Sequence, residues 1–262
     1  MLKGQNLFAE VAACQTDAFW WLGQHSFIVK MGGTSMLIDP FLTDLERRNV
    51  PPLFDAADAN IISLTLCTHD HLDHLDPFAV SELAQKTQTH FIAPKAHENR
   101  MLSLGVSQER MTLLNDGESC QRNGLKITGI KSAHEFFDET PEGYFPFMGY
   151  VIEAGGKTLY HAGDTVWWEG LQRQLSQWHF DVALVPINGR DAVRYKTGII
   201  GNMTYQEAAD LLGGLEVKLS VPTHYDMFDG NREDPQLFVD YMAVKYPGRD
   251  VWVGSVTEEV QF

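Results

Sequence analysis

The chain has 262 residues, 44% hydrophobic and 21% charged, which is enough apolar material for one sizeable core. Its formal charge of −15 argues against a nucleic-acid partner, because proteins that grip phosphate backbones gather Lys and Arg. Small anionic substrates stay open, since bound divalent cations invert a local field.

From the amino end, Met1 to Phe19 has one early Lys and no continuous apolar stretch. Glu10 and Asp17 interrupt it, so no secretory signal is expected. Phe19–Leu22 and Phe27–Val29 read as strands, and Ser35–Ile38 follows the Gly32-Gly33 turn as a third. Ile61–Cys67 is short, apolar and β-branched at several positions, the signature of a buried strand. A helix is predicted next, with Asp76 as N-cap and Pro77 at its first position. His90–Ala93 is a further strand, and another helix should open near Pro94.

A second block repeats the habit. Leu125–Ile130, Gly149–Ile152 and Thr158–Tyr160 read as strands, the last two joined by a Gly155-Gly156 hairpin turn. Asp181–Ile187 is a buried strand, and Thr204 with Glu207 forms the capping box of a helix running through Leu212. Val217–Val221 is a strand, Asp234-Pro235 starts a helix, and Val251–Val253 closes the chain. With no linker or repeat, this predicts a single domain over residues 1–262 of the α/β class, two sheets face to face with helices outside. No run approaches a membrane span, and Cys14, Cys67 and Cys120 form no CxxC pair or even-numbered framework. A cytoplasmic protein without a membrane partner is the expectation.

The strongest local signal is Thr68-His69-Asp70-His71-Leu72-Asp73-His74-Leu75-Asp76-Pro77, between a buried strand and a capped helix. In extended chain, residues two apart point the same way, so His69 and His71 can share one target. As the chain turns toward the helix, Asp73 and His74 can converge on a second. Imidazole and carboxylate together suit Zn²⁺, Mn²⁺ or Fe²⁺. One segment cannot fill two metal shells, and three further candidates follow predicted strands: His134, Asp164 after Gly163, and His224. Each alone fits a hydrogen-bonded structural role equally well; together with the loop cluster they point to a site.

His69-x-His71-x-Asp73-His74, followed in order by His134, Asp164 and His224, resembles the metallo-β-lactamase superfamily, over roughly residues 20 to 230. The resemblance implies a four-layer αββα sandwich with two mixed sheets and the metals at one sheet edge. It implies His69, His71 and His134 around a first metal, Asp73, His74 and His224 around a second, and Asp164 bridging. Cys is absent as a ligand, and His71 stands where flavo-diiron relatives carry Glu, which favours hydrolysis over redox work. The branch containing the ascorbate-6-phosphate lactonase is most similar, through Trp20-Trp21-Leu22-Gly23, Tyr160-His161-Ala162-Gly163-Asp164, Asn202-Met203-Thr204 and Pro222-x-His224.

The expected reaction is hydrolysis of a small lactone or related, possibly phosphorylated, ester, with two divalent metals, zinc first and manganese or iron admitted. Such a pair lowers the pKa of a shared water toward neutrality, and Asp73 would orient that water or pass on its proton. Phosphodiester hydrolysis on the same metals is the alternative, and a non-catalytic scaffold retaining the fold is the alternative of another class. Asp39, His25 and His161 are candidates to hold ligand groups from behind, or are plain structural residues. Asn188, Arg190, Asn202 and Tyr225 are candidates to touch substrate, Arg190 by gripping an anion bidentately; a surface loop or a packed ring explains each equally. The resemblance also hints at a homo-oligomer.

Overall fold

A computed structural model describes residues 1–262. The first half of the chain supplies helix α1 (Gly4–Ala13) and strands β1 (Ala18–Trp21), β2 (Phe27–Met31), β3 (Thr34–Ile38) and β4 (Leu64–Leu66). Helix α2 (Pro77–Lys86), β5 (His90–Pro94), α3 (Glu98–Ser103) and β6 (Met111–Leu114) follow. The second half supplies β7 (Ser119–Arg122), β8 (Leu125–Lys131), β9 (Met148–Ala154), β10 (Lys157–His161), α4 (Leu171–Leu175) and β11 (Phe180–Pro186). Then come α5 (Ala192–Lys196), α6 (Tyr205–Gly213), β12 (Val217–Thr223), α7 (Pro235–Lys245), β13 (Asp250–Val251) and β14 (Glu259–Gln261).

They form two seven-stranded sheets, ordered β14-β1-β2-β3-β4-β5-β6 and β13-β12-β11-β10-β9-β8-β7. Both mix parallel and antiparallel pairs. Period-two alternation explains the layering. Phe19, Trp21, Phe27, Val29, Met36 and Ile38 face the second sheet and pack with Tyr150, Ile152, Leu159 and Val182. The residues between them, Trp20, Ile28 and Leu37, face outward and are covered by Leu7 and Val11 of α1 and Val80 and Leu83 of α2. On the far side, Leu211 and Leu212 of α6 and Phe238 and Met242 of α7 close over the second sheet. Each such side chain, taken fully out of water, contributes about 1.5–3 kcal/mol. The result is the expected αββα architecture.

Caps fix where the helices begin. The Asp76 carboxylate accepts from Phe78 N at the start of α2, and also from Leu42 N and Thr43 N, so the same side chain pins the loop after β3. Thr204 and Glu207 complete the capping box of α6, and Asp234 caps α7 ahead of Pro235. The structure corrects the ends of the sequence reading. The helix expected near Pro94 does open there, as a 3-10 turn over Lys95–His97 that leads into α3, but Val251–Val253 gives way to the two-residue β13. The chain closes instead on β14, which pairs antiparallel with β1 and so returns the carboxyl end to the first sheet. α1, β6, β7, α4 and α5 were not expected from the sequence.

Candidate metal centre

Strands β1, β3, β4, β8, β10 and β12 all run toward one edge of the sandwich, and the segments leaving their carboxyl ends meet there. The β4 exit is locked to its neighbours: Cys67 N donates to Ile92 O, Thr68 N to Asp39 Oδ1, and Met148 N to Thr68 O across to the second sheet. The loop that follows presents His69, His71, Asp73 and His74. His134 follows β8, Asp164 follows β10 and His224 follows β12. A left-handed Gly163, φ +60°, makes the turn before Asp164; any Cβ there would collide with the Met148 carbonyl oxygen. His224 itself is left-handed at φ 60°, a strained conformation held by the donation of its N–H to Gln24 O.

All seven side chains converge. Asp164 Oδ2 lies 3.2 Å from His224 Nε2, 3.8 Å from His134 Nε2 and 4.0 Å from His69 Nε2, while its Oδ1 is 3.5 Å from His74 Nε2. His69 Nε2 is 3.0 Å from His71 Nδ1. Asp73 Oδ2 is 3.7 Å from both His74 Nε2 and His224 Nε2. Donors around one zinc-sized cation stand about 3.0–3.5 Å apart, given bonds of about 2.0–2.2 Å. Three groupings of ligand atoms, each within 4.8 Å of one another, come close to that spacing: His69, His74 and Asp164; His71, His134 and Asp164; and Asp73, His74 and His224.

The donor chemistry also fits a cation. His74 Nε2 and Asp164 Oδ1 are buried without a hydrogen-bond partner, a costly state unless something bridges them. The tautomers are set from behind. Asp39, fully buried and at φ 45°, accepts from His74 Nδ1 at 2.7 Å and from the Thr68 hydroxyl at 2.7 Å. Because that hydroxyl donates to Asp39, its oxygen is left to accept from His69 Nδ1 at 3.0 Å. Both imidazoles therefore spend Nδ1 on the group behind and turn Nε2 inward, where it would face a cation. His161 and His25 act one layer further out: His161 donates to His25 O and accepts from Gly163 N, and His25 Nε2 bonds Gly163 O at 3.0 Å. Together they tie the Gly23–Ser26 turn to the turn that carries Asp164.

Electrostatics in this dry cluster are strongly coupled. Burial pushes His134 down to about 4, and burial with the neighbouring His74 holds His69 well below its ordinary value. Burial opposes charge on His74 too, but Asp164, Asp73 and Asp39 outweigh it and push it up to about 10. Burial would raise Asp164, yet His224 and His74 keep it well below the usual carboxylate range. His69 and His134 are thus held in the neutral form that a cation needs, whereas His74 is held charged by its carboxylates and would give up a proton to a bound cation.

The four candidate substrate residues are not brought to the opening, which is a correction. Arg190 is spent in a two-pronged pair with Glu207, at 2.6 and 2.7 Å, and on Asn202 O. Asn188 and Asn202 are buried and bonded to one another, and Tyr225 is buried with its ring 5.4 Å from that of Trp21. A cavity of about 580 Å³ opens onto His71, Asp73, His134, Asp164 and His224, and its outer wall is Arg47, Leu72, Ile199, Ile200, Phe228 and Asn231. Arg47 lies 5.1 Å over the Phe228 ring. Asn188 reaches this wall only indirectly, by donating to Asn231 Oδ1. The Phe147 ring packs against His69, His71 and His134, at 5.0, 5.6 and 5.2 Å. A larger surface cleft of about 730 Å³ lies at the opposite, amino ends of β11 and β12, where the titratable groups form exposed pairs such as His179–Glu216.

Sequence reasoning missed Gln24. It singled out the neighbouring His25, but the Gln24 amide is the group at the centre, 2.7 Å from Asp73 Oδ2 and 3.0 Å from His224 Nε2. The sequence offered only the preceding Gly23 turn as a signal.

A family model described as a beta-lactamase superfamily domain matches residues 34–225. A UPF0173 metal-dependent hydrolase of Methanopyrus kandleri is 30% identical over 226 residues, 83% of this chain and 88% of that one. A second UPF0173 metal-dependent hydrolase, of Methanosarcina mazei, is 29% identical over 245 residues, 92% and 96% of the two chains. A solved metallo hydrolase of the hyperthermophilic archaeon Ignicoccus hospitalis superposes with a TM-score of 0.75 at 24% identity, across 95% of this chain and 99% of that one. The chain belongs to the beta-lactamase superfamily, as one of its metal-dependent hydrolases, and it has the metallo-β-lactamase fold. No helix is long and apolar enough to cross a membrane.

Proposed function

We propose that this hydrolase opens a small lactone or a related ester that carries a negative charge, on a pair of divalent cations held by His69, His71, Asp73, His74, His134, Asp164 and His224. The observation that carries the reading is the meeting of these seven groups around Asp164, both of whose oxygens face imidazole nitrogens. A bound pair would lower the pKa of water toward neutrality and polarise the substrate oxygen. The chain's own residues do the rest. Asp164 lies between the two groups of imidazoles and would offset the charge of cations held there. Asp73, partly open to the cavity while most of the others are buried, is placed to orient water and take up its proton. Phe147 keeps the imidazoles at its back dry.

Arg47 supports the charge of the substrate. It is the one Lys or Arg lining the cavity and has no carboxylate partner, so an incoming phosphate or carboxylate would not have to displace one. Leu72, Ile199 and Ile200 offer apolar wall for the remainder of a small molecule. Zinc is the first choice of metal, with manganese and iron suited to the same donors. The test is a panel of lactones with and without phosphate or carboxylate groups, run beside bis-p-nitrophenyl phosphate with each metal restored. Preferred turnover of the anionic lactones is expected. A preference for the phosphodiester would assign the site to phosphodiesterase chemistry, and no turnover of either class would overturn the reading.

A further inference from the structure

Gln24 is almost fully buried, and its backbone sits in the left-handed region at φ 54°. For a side chain other than glycine this conformation is strained and persists only where the surroundings impose it. Here they do: the Gln24 carbonyl accepts from Trp21 Nε1 at 3.0 Å and from His224 N at 3.1 Å. The backbone that aims this amide is thus fastened directly to the residue the amide touches. Its end lies between two of the three groups of one cation position, Asp73 and His224, whose ligand atoms are grouped with that of His74.

With nitrogen toward the cluster, the amide donates to Asp73 Oδ2 and to His224 Nε2. An imidazole nitrogen has one lone pair, so His224 Nε2 can accept that hydrogen or bind a cation, but not both. The nitrogen-inward orientation would also aim partial positive charge at the cation. Rotating the amide by half a turn exchanges NH₂ for C=O at nearly unchanged shape. The oxygen then stands about 3 Å from two neighbouring donors, the spacing of atoms that share one metal ion.

On the reading that this position holds a cation, we infer that Gln24 is a further protein ligand of it, giving its amide oxygen alongside Asp73, His74 and His224. In the metal-free chain the same amide, turned the other way, braces Asp73 and His224 in register. This makes the two positions chemically unequal. The one near His71 and His134 is rich in imidazole, which suits zinc. The other gathers oxygen from Asp73, Asp164 and Gln24, which suits a harder ion of higher coordination number such as Mn²⁺.

The experiment is a titration of metal-stripped full-length protein with Co²⁺ and separately with Mn²⁺, on wild type, Gln24→Leu and Gln24→Glu. Calorimetry gives the affinities, and the cobalt visible spectrum reports the coordination of each equivalent. Wild type should take two equivalents. Gln24→Leu should keep the first unchanged and bind the second at least tenfold more weakly, with an altered cobalt band. Gln24→Glu, which keeps an oxygen in place, should hold the second at least as tightly as wild type, so the assignment can be judged even if the Leu variant folds poorly. Wild-type affinity and spectrum for the second equivalent in Gln24→Leu, or a loss in Gln24→Glu equal to that in Gln24→Leu, would overturn the Gln24 assignment alone. Wild type that takes no second equivalent would overturn the two-cation reading and this assignment with it.

Discussion

Arg47 and Arg190 carry the same charge but keep different company. Arg190 is saturated by Glu207 and a backbone carbonyl, whereas Arg47 faces the cavity with only an aromatic ring beneath it. A charge-assisted hydrogen bond to substrate is worth about 1.5–3 kcal/mol, so Arg47→Ala should raise KM for anionic substrates roughly 10- to 100-fold. KM for neutral analogues should stay unchanged. Arg190→Ala should leave both constants alone and show its effect in stability, by loosening Glu207. Steady-state kinetics on a charged and a neutral substrate separates the two, and an equal KM rise for both in Arg47→Ala would remove it from the recognition role. The sequence favoured Arg190 because it follows a buried strand. It could not show that Glu207, 17 positions on, would turn back to claim the guanidinium. Gln24 was hidden for a related reason: in a Gly-Gln-His-Ser turn the histidine draws attention, and only the φ of 54° decides which side chain faces Asp73.

At the scale of elements, legibility followed local chemistry. Asp76-Pro77, Thr204 with Glu207 and Asp234-Pro235 each carry their helix start in adjacent residues, and α2, α6 and α7 begin there. α1 was not legible because Lys3 offers no capping side chain, and its helix is held by packing on Trp20 and Ile28. β7, largely exposed, and β14, half-buried, are short edge strands that owe their existence to a partner strand rather than to an apolar pattern. The ligand loop was plain because His69, His71, Asp73 and His74 fall close together in one segment, while the cavity wall is assembled from segments near 47, 72, 199 and 228 that share no local signature. Turn geometry at this scale is testable at Gly163. Gly163→Ala introduces both a strained φ and a backbone collision, so the turn must shift. Stability should fall by about 2–4 kcal/mol by urea denaturation, and metal content should fall with it as Asp164 is displaced. An alanine variant of wild-type stability and metal content would show that the turn does not position Asp164.

For the whole molecule, two sheets deliver their loops to one edge, and that edge concentrates buried carboxylates and imidazoles whose attraction and repulsion a cation pair would balance. Ligands that bind only the folded state stabilise it by mass action, about 4 kcal/mol for one site at a thousandfold excess over Kd. Chelation should therefore lower the melting temperature by several degrees in calorimetry, and restoring zinc or manganese should recover it. A melting temperature indifferent to chelator would argue that the cluster is a self-sufficient hydrogen-bonded core. The fold class was legible in the alternation of strands and helices, and the superfamily in the ordered His and Asp positions. The substrate was not, because Arg47, Leu72, Ile199 and Phe228 are scattered along the chain and nothing in the sequence marks them as one wall.

The most direct measurement is an anomalous-scattering map from crystals of the protein loaded with one metal, collected on either side of that metal's absorption edge. Two peaks are predicted, both flanked by Asp164, one among His69, His71 and His134 and the other among Asp73, His74 and His224. An empty cluster in crystals of active protein, or a metal bound elsewhere, would contradict the account.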